Sequence, residues 1–264
     1  VIMAFALLTM MFIMLPRVMV SLQRINEVID AKVHMENGKI AEPQNEKGTV
    51  EFRNVSFRYP GAGEDTLTDI SFKAQKGQTI AIIGATASGK SSLVNLIPRF
   101  YDARVGDVLV DGINVKSYDM HALREKIGYV SQKAVLFSGT VASNVSYGQE
   151  SVDDVRVNSA VETAQGMEFV SRMPDNIHSA IAQGGTNVSG GQKQRLSIAR
   201  AIYKDPEIYI FDDSFSALDY KTDRILRKAL AEKTKDATKI IVAQRIGTIR
   251  DADNITVLED GRIA

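Results

Sequence analysis

The run Gly84, Ala85, Thr86, Ala87, Ser88, Gly89, Lys90, Ser91, Ser92 limits this chain more tightly than any other part of its 264 residues. It fits the spacing G-x-x-x-x-G-K-[ST]. Ahead of it, 78–83 is a short apolar, β-branched segment that reads as a buried strand; behind it, 91–97 reads as a helix. A glycine-rich turn between strand and helix aims several backbone N–H groups at one point, and the positive end of the helix dipole adds to them. Such a turn holds phosphate oxygens with little side-chain help. Lys90 then reaches the β- and γ-phosphates of a nucleotide, and the Ser91 hydroxyl ligates Mg²⁺. The alternative is a chance glycine turn, and the flanking strand and helix count against it.

Composition narrows the partners. Lys plus Arg and Asp plus Glu both number 32, so no global field favours nucleic acid or an acidic substrate. The absence of cysteine excludes disulfides and thiolate metal sites. His34, His121 and His178 are scattered without the spacing of a zinc site.

Residues 1–16 carry no charge. A membrane span needs about twenty such residues, and Arg17 follows the run as it does on cytoplasmic flanks. The reading is the end of a last transmembrane helix with its cytoplasmic extension, over 1–35; a buried core helix is the alternative. Within it, Leu22, Ile25, Val28 and Ile29 share one helical face. A polar, aperiodic linker follows over 36–48.

From 49 to 264 the pattern is α/β with a mostly helical insertion at about 134–205, notably 151–165 and 191–203. Strands are expected at 50–59, 70–74, 127–130, 207–212, 239–243 and 254–259, with a hairpin at 107–112. Helices are expected at 119–126, 222–235 and 246–250. The end at Ala264 reads as falling in mid-strand, so the domain is expected to be truncated there.

Two further stretches carry chemistry. The apolar strand 208–213 ends in Asp212 and Asp213. Such a strand is expected beside the P-loop strand, its first acid, Asp212, supporting Mg²⁺. The run Ser189, Gly190, Gly191, Gln192 opens the helix 191–203 and offers a hydroxyl and unhindered N–H groups, a second anion site. One nucleotide does not need two such cradles about a hundred residues apart. Either the second is a plain helix cap, or it serves a nucleotide held by another copy of the domain.

In order, the loop 84–91, Gln132 after Tyr129, Val130 and Ser131, the run 188–192, the acid-ended strand, and Ser216, Ala217, Leu218, Asp219 resemble the nucleotide-binding domain of ATP-binding cassette (ABC) transporters. The resemblance covers 49–264, while 1–30 resemble the end of the membrane domain of an exporter that carries both on one chain. The run 188–192 is the family signature and the most specific of these motifs. The resemblance implies a P-loop NTPase domain with a mixed-sheet core and a helical subdomain. It also implies ATP and Mg²⁺ as cofactors, hydrolysis coupled to export, and a multi-pass place in the cell membrane with the nucleotide domain in the cytoplasm.

Its partners would be a second half-transporter, different or identical, the membrane domain and the lipid bilayer, with no nucleic acid. Two domains then pack head to tail, each ATP lying between one P-loop and the opposing signature. Tyr59 matches the aromatic that stacks on adenine, and Gln132 the glutamine that touches Mg²⁺ and the attacking water. Asp219 matches the aspartate that speaks across the dimer, although it also suits a helix cap. Residues 134–144, with Phe137 exposed, match the face turned to the membrane domain.

Three positions depart from the family pattern. The general base is usually Glu, and here it is Asp213, whose carboxylate is drawn back by about one carbon–carbon bond. The switch position, usually His, is Gln244, which donates a hydrogen bond but cannot become cationic. Ala87 replaces a loop glycine, and its methyl crowds the turn if that residue needs positive φ. The signature is intact. This asymmetry resembles the weak-site subunit of a heterodimeric bacterial exporter. A nucleotide-gated regulatory half without relevant hydrolysis is a second reading. A soluble cassette ATPase is a third, disfavoured by the apolar run before Pro16 and by the short spacing from P-loop to signature.

Overall fold

The structure, a computed structural model, describes residues 1–31, 35–42, 47–244 and 246–264. The expected extension reaches into 32–34 and the linker into 43–46, which lie outside the described residues. The chain divides into two units, Val1–Glu36 and Asn37–Ala264.

The first unit is one helix, Ile2–Ile29, which runs through Pro16 and has no buried residue. Its 28 residues span about 42 Å at 1.5 Å per residue, more than the roughly 30 Å of a bilayer's hydrocarbon core. It is long and apolar enough to cross a membrane. Its hydroxyls fold back on the helix: Thr9 donates to the Phe5 carbonyl and Ser21 to the Arg17 carbonyl, each at 2.9 Å. That arrangement leaves no side-chain hydroxyl in need of water.

The second unit is built around the strand Thr79–Gly84. It lies inside a six-stranded sheet whose order is Arg262–Ile263, Asn254–Glu259, Thr79–Gly84, Thr238–Val242, Ile208–Asp212, Ile127–Val130. All neighbours are parallel except the first pair. Parallel strands covered on both faces read as continuous apolar runs, and every residue of Ile208–Asp212 is buried. Alternate residues serve opposite faces: Ile80, Ile82, Ile208 and Ile210 join one core cluster, whereas Ala81, Tyr209 and Phe211 join the other.

The expectation that the acid strand lies beside the P-loop strand is corrected here. Thr238–Val242 stands between them, pairing Ile82 on one side and Asp212 on the other through Val242. Apolar runs identify buried strands but do not set the order of parallel ones, because crossovers can skip a place. The inserted strand brings Gln244 between loop and acids.

An antiparallel sheet, ordered Leu67–Ala74, Val50–Phe57, Val105–Val110, Ile113–Asn114, packs its buried face into the same cluster as Ile80. Its tight turn uses Asp111 at φ 53° and Gly112 at φ 74°, the left-handed pair such hairpins need. The strand expected at 70–74 begins at Leu67; Asp69, at φ 54°, interrupts the alternation there.

The insertion is helical but broken. Val141–Val145, Asp154–Thr163, Met167–Val170 and Gly190–Lys204 are joined by turns and by a two-residue ladder of Gly139–Thr140 with Ala180–Ile181. Asp153 caps its helix by accepting from the Val155 and Arg156 amides. Beyond the insertion, the remaining helices are Tyr220–Lys233 and Ile246–Ile249.

Candidate functional site

The loop is shaped by two glycines. A Cβ on Gly84, at φ 156°, would lie 2.1 Å from the Leu258 carbonyl oxygen of the adjoining strand. One on Gly89, at φ 98°, would press on the Leu67 side chain at 2.8 Å. The chain therefore turns where only glycine fits and enters the helix Lys90–Asn95. Lys90 is buried, and its ammonium donates to the carbonyls of Gly84 at 2.9 Å and Ala85 at 2.5 Å and to Ser88 Oγ at 3.3 Å. Burial pushes its pKa down, while Asp213 and Asp212 pull it up. Ala87 sits at φ 67°, so the condition set for crowding is met, but the residue is exposed. The strain lies in its backbone.

Opposite the loop, Ser91 Oγ donates to Asp212 Oδ1 at 2.9 Å. Tyr129 reaches the other oxygen, Oδ2, at 3.3 Å. Burial pushes the Asp212 carboxyl up, the Ser91 and Tyr129 hydroxyls pull it down, and the neighbouring Asp213 raises it again.

Asp213 leaves the strand at φ 47°, with its amide on the Val242 carbonyl at 3.1 Å. Its Oδ2 accepts from Gln132 Nε2 at 3.3 Å and from Gln244 Nε2 at 2.9 Å. Three residues that come from separate segments thus meet on one carboxylate. Lys90, Ser91, Gln132, Asp212, Asp213 and Gln244 line one cleft, together with Thr86, Ala87, Gly89 and Ser92.

The donor set fits a triphosphate with a hard cation. It offers hydroxyl, carboxylate and amide oxygens beside a glycine-turned loop at a helix start and one ammonium. Among the described residues, no three His, Cys, Asp or Glu side chains are grouped as a metal cage.

The other expected residues do not line this cleft themselves. Tyr59 is half-buried, edge-on to Phe57 and Tyr101 at 4.8 and 5.1 Å, with its hydroxyl 2.9 Å from Ser92 Oγ. Ser189 caps Gly190–Lys204 by accepting from the Gln192 amide at 3.3 Å, and the Ser189 amide donates to Gln192 Oε1 at 2.8 Å. This reciprocal pair is a capping box. Asp219 caps Tyr220–Lys233 by accepting from the Thr222 amide at 3.0 Å. None of Ser189, Gly190, Gly191, Gln192 and Asp219 lines the cleft. Phe137 is 44% exposed and stacks on Tyr147, centroids 4.6 Å apart. Tyr129 is the residue that sequence reasoning missed. Its signal was its place on the strand three positions before Gln132, beside the acid strand.

Strand, phosphate loop, acid-ended strand and antiparallel side sheet define a P-loop nucleotide-binding domain. Residues 67–216 match the family described as ABC transporter, more than half of the chain, and the chain belongs to that family. It is 42% identical over 251 residues to an ATP-dependent lipid A-core flippase of Xanthomonas oryzae pv. oryzae (strain MAFF 311018), covering 95% of this chain and 42% of the flippase. It is 48% identical over 217 residues to the protein of that name from Burkholderia orbicola (strain AU 1054), covering 82% and 36%. A solved bacterial Atm1-family ABC exporter with ATP bound superposes with a TM-score of 0.86 at 32% identity, over 93% of this chain and 43% of that one. The chain spans less than half the length of these relatives.

Proposed function

We propose that this chain is the ATP-binding portion, with the end of the membrane portion, of one half of an ABC export pump. Its own cleft holds MgATP and cuts it slowly, while its signature completes the site of a second, different half. The apolar helix Ile2–Ile29 and the flippase and exporter relatives support a place in the cell membrane with the nucleotide domain on the cytoplasmic side.

In this reading the loop amides and Lys90 take the β- and γ-phosphates, and Tyr59 faces adenine. Ser91 and Asp212 hold Mg²⁺, which when bound neutralises charge on those phosphates. For hydrolysis, a water must give up a proton to a base while its oxygen bonds the γ-phosphorus and ADP leaves with the bridging oxygen. Asp213 is the acid in that place.

The observation that carries the reading is the engagement of Asp213: one of its oxygens already accepts from the Gln132 and Gln244 amides. A carboxylate one methylene short of glutamate and already engaged by two amides is poorly placed to reach a water. Gln244 has no cationic form to stabilise the developing charge. The cutting groups Gln132, Asp213 and Gln244 are tied to one another.

Equilibrium binding of ATP with Mg²⁺ to the full chain tests the site. Saturable binding is expected, and Lys90→Ala should weaken it by about 3 kcal/mol, roughly a hundredfold. Absence of binding, or affinity indifferent to Lys90→Ala, would reject the reading.

A further inference from the structure

Tyr129 stands between the helix that begins at Lys90 and the strand that ends at Asp212. It lies on Ile127–Val130, paired in register with Ile210 of the acid strand. Its ring packs edge-on against Phe100 with centroids 5.4 Å apart, and the Arg124 guanidinium covers Phe100 at 5.6 Å. The hydroxyl lies 2.9 Å from Asn95 Oδ1, on the last residue of Lys90–Asn95, and 3.3 Å from Asp212 Oδ2.

A phenol has one proton and cannot donate to both oxygens at once. Turning the Asn95 amide end for end leaves the heavy-atom geometry unchanged. Its NH₂ then donates to the phenol oxygen, and the phenol proton goes to Asp212. In that arrangement the phenol oxygen and both Asp212 oxygens each have a partner. Phenylalanine would fill the same half-buried space against Phe100 without a hydroxyl to desolvate, so the hydroxyl needs these partners to offset its burial.

The consequence concerns the aim of Asp212. Its two oxygens are held by hydroxyls on opposite sides, Ser91 at Oδ1 and Tyr129 at Oδ2. With Oδ2 held by Tyr129, rotating Oδ1 away from the Ser91 hydroxyl costs a second hydrogen bond. We propose that Tyr129 is a positioning residue for Mg²⁺, holding Asp212 in the orientation in which it and Ser91 would bind the cation. The proposal rests on the assignment of Ser91 and Asp212 to Mg²⁺ made above. Tyr129 acts on the site through Asp212, and its hydroxyl also ties in Asn95 of the Lys90–Asn95 helix.

The test is Tyr129→Phe, which removes one oxygen atom and leaves the ring packed. Binding of a fluorescent mant-ATP probe to the full chain is followed while Mg²⁺ is titrated, and again in EDTA. In the variant, the Mg²⁺ concentration for half-maximal enhancement of binding should rise about three- to tenfold, the worth of one hydrogen bond. Affinity in EDTA should match that of the unaltered chain. An unchanged Mg²⁺ requirement overturns the proposal. So does an equal loss with and without Mg²⁺, which marks a purely structural role. Failure of the unaltered chain to bind the probe in either condition overturns the nucleotide reading and this assignment with it.

Discussion

The cleft at Lys90 and the start of Gly190–Lys204 are both glycine-led helix entrances, but their side chains are used in opposite ways. Around Lys90 the polar groups are turned on one another: ammonium to loop carbonyls, Ser91 to Asp212, two amides to Asp213. At the signature Ser189 and Gly190 are exposed, and a capping box ties the turn internally. A Cβ at Gly190 would meet nothing within 4 Å, so the fold of this chain does not require glycine there. The difference teaches where each site's constraint originates. Packing within the chain explains Gly84, whereas Gly190 makes sense when something outside the chain approaches its backbone.

Four changes would break or sharpen that contrast. The largest effect is expected from Asp213→Glu combined with Gln244→His. It releases the anchored carboxylate, restores its reach and supplies a group that can become cationic. Turnover measured by phosphate release should rise by about 10²–10⁴, the usual worth of a placed base; no gain would locate the defect elsewhere. Next, Gly190→Val adds a side chain where this chain has open space. Turnover of a mixed complex with a second half should fall about 10²-fold, as when one transition-state donor is lost. ATP affinity at the Lys90 cleft should stay the same.

Smaller effects concern stability. Ser189→Ala removes one arm of the capping box and should cost about 1 kcal/mol in a denaturant titration. Ala87→Gly removes a methyl-bearing residue from φ 67° and should stabilise by at most about 1 kcal/mol, because glycine's unfolded-state entropy offsets part of the relief. A larger loss in the first case, or a loss in the second, would show that these residues pack differently from the account given.

Much of this is legible in the sequence, and the reason is locality. The loop 84–92 and the acids 212 and 213 are each specified by a few adjacent residues, so spacing alone places strand, turn and helix. The hairpin at Asp111 and Gly112 was readable for the same reason. Strand order was not, because the insertion of Thr238–Val242 between loop and acid strands depends on crossovers rather than on local pattern. Nor was the meeting of Gln132 and Gln244 on Asp213, which joins positions 81 and 31 residues away in sequence. Tyr129 looked like an ordinary strand aromatic, since its hydroxyl acquires partners only when the Lys90–Asn95 helix and the acid strand are brought together. The departures at 213 and 244 were visible as substitutions, but their mutual hydrogen bond was not.

The most direct test compares ATP held with ATP cut in one preparation of the full chain without a partner half. The amount of bound nucleotide and the steady-state rate of phosphate release would be read side by side, for the unaltered chain and for Asp213→Ala. The account predicts near-stoichiometric retention of MgATP with slow release that Asp213→Ala barely alters. Rapid release abolished by Asp213→Ala would contradict it.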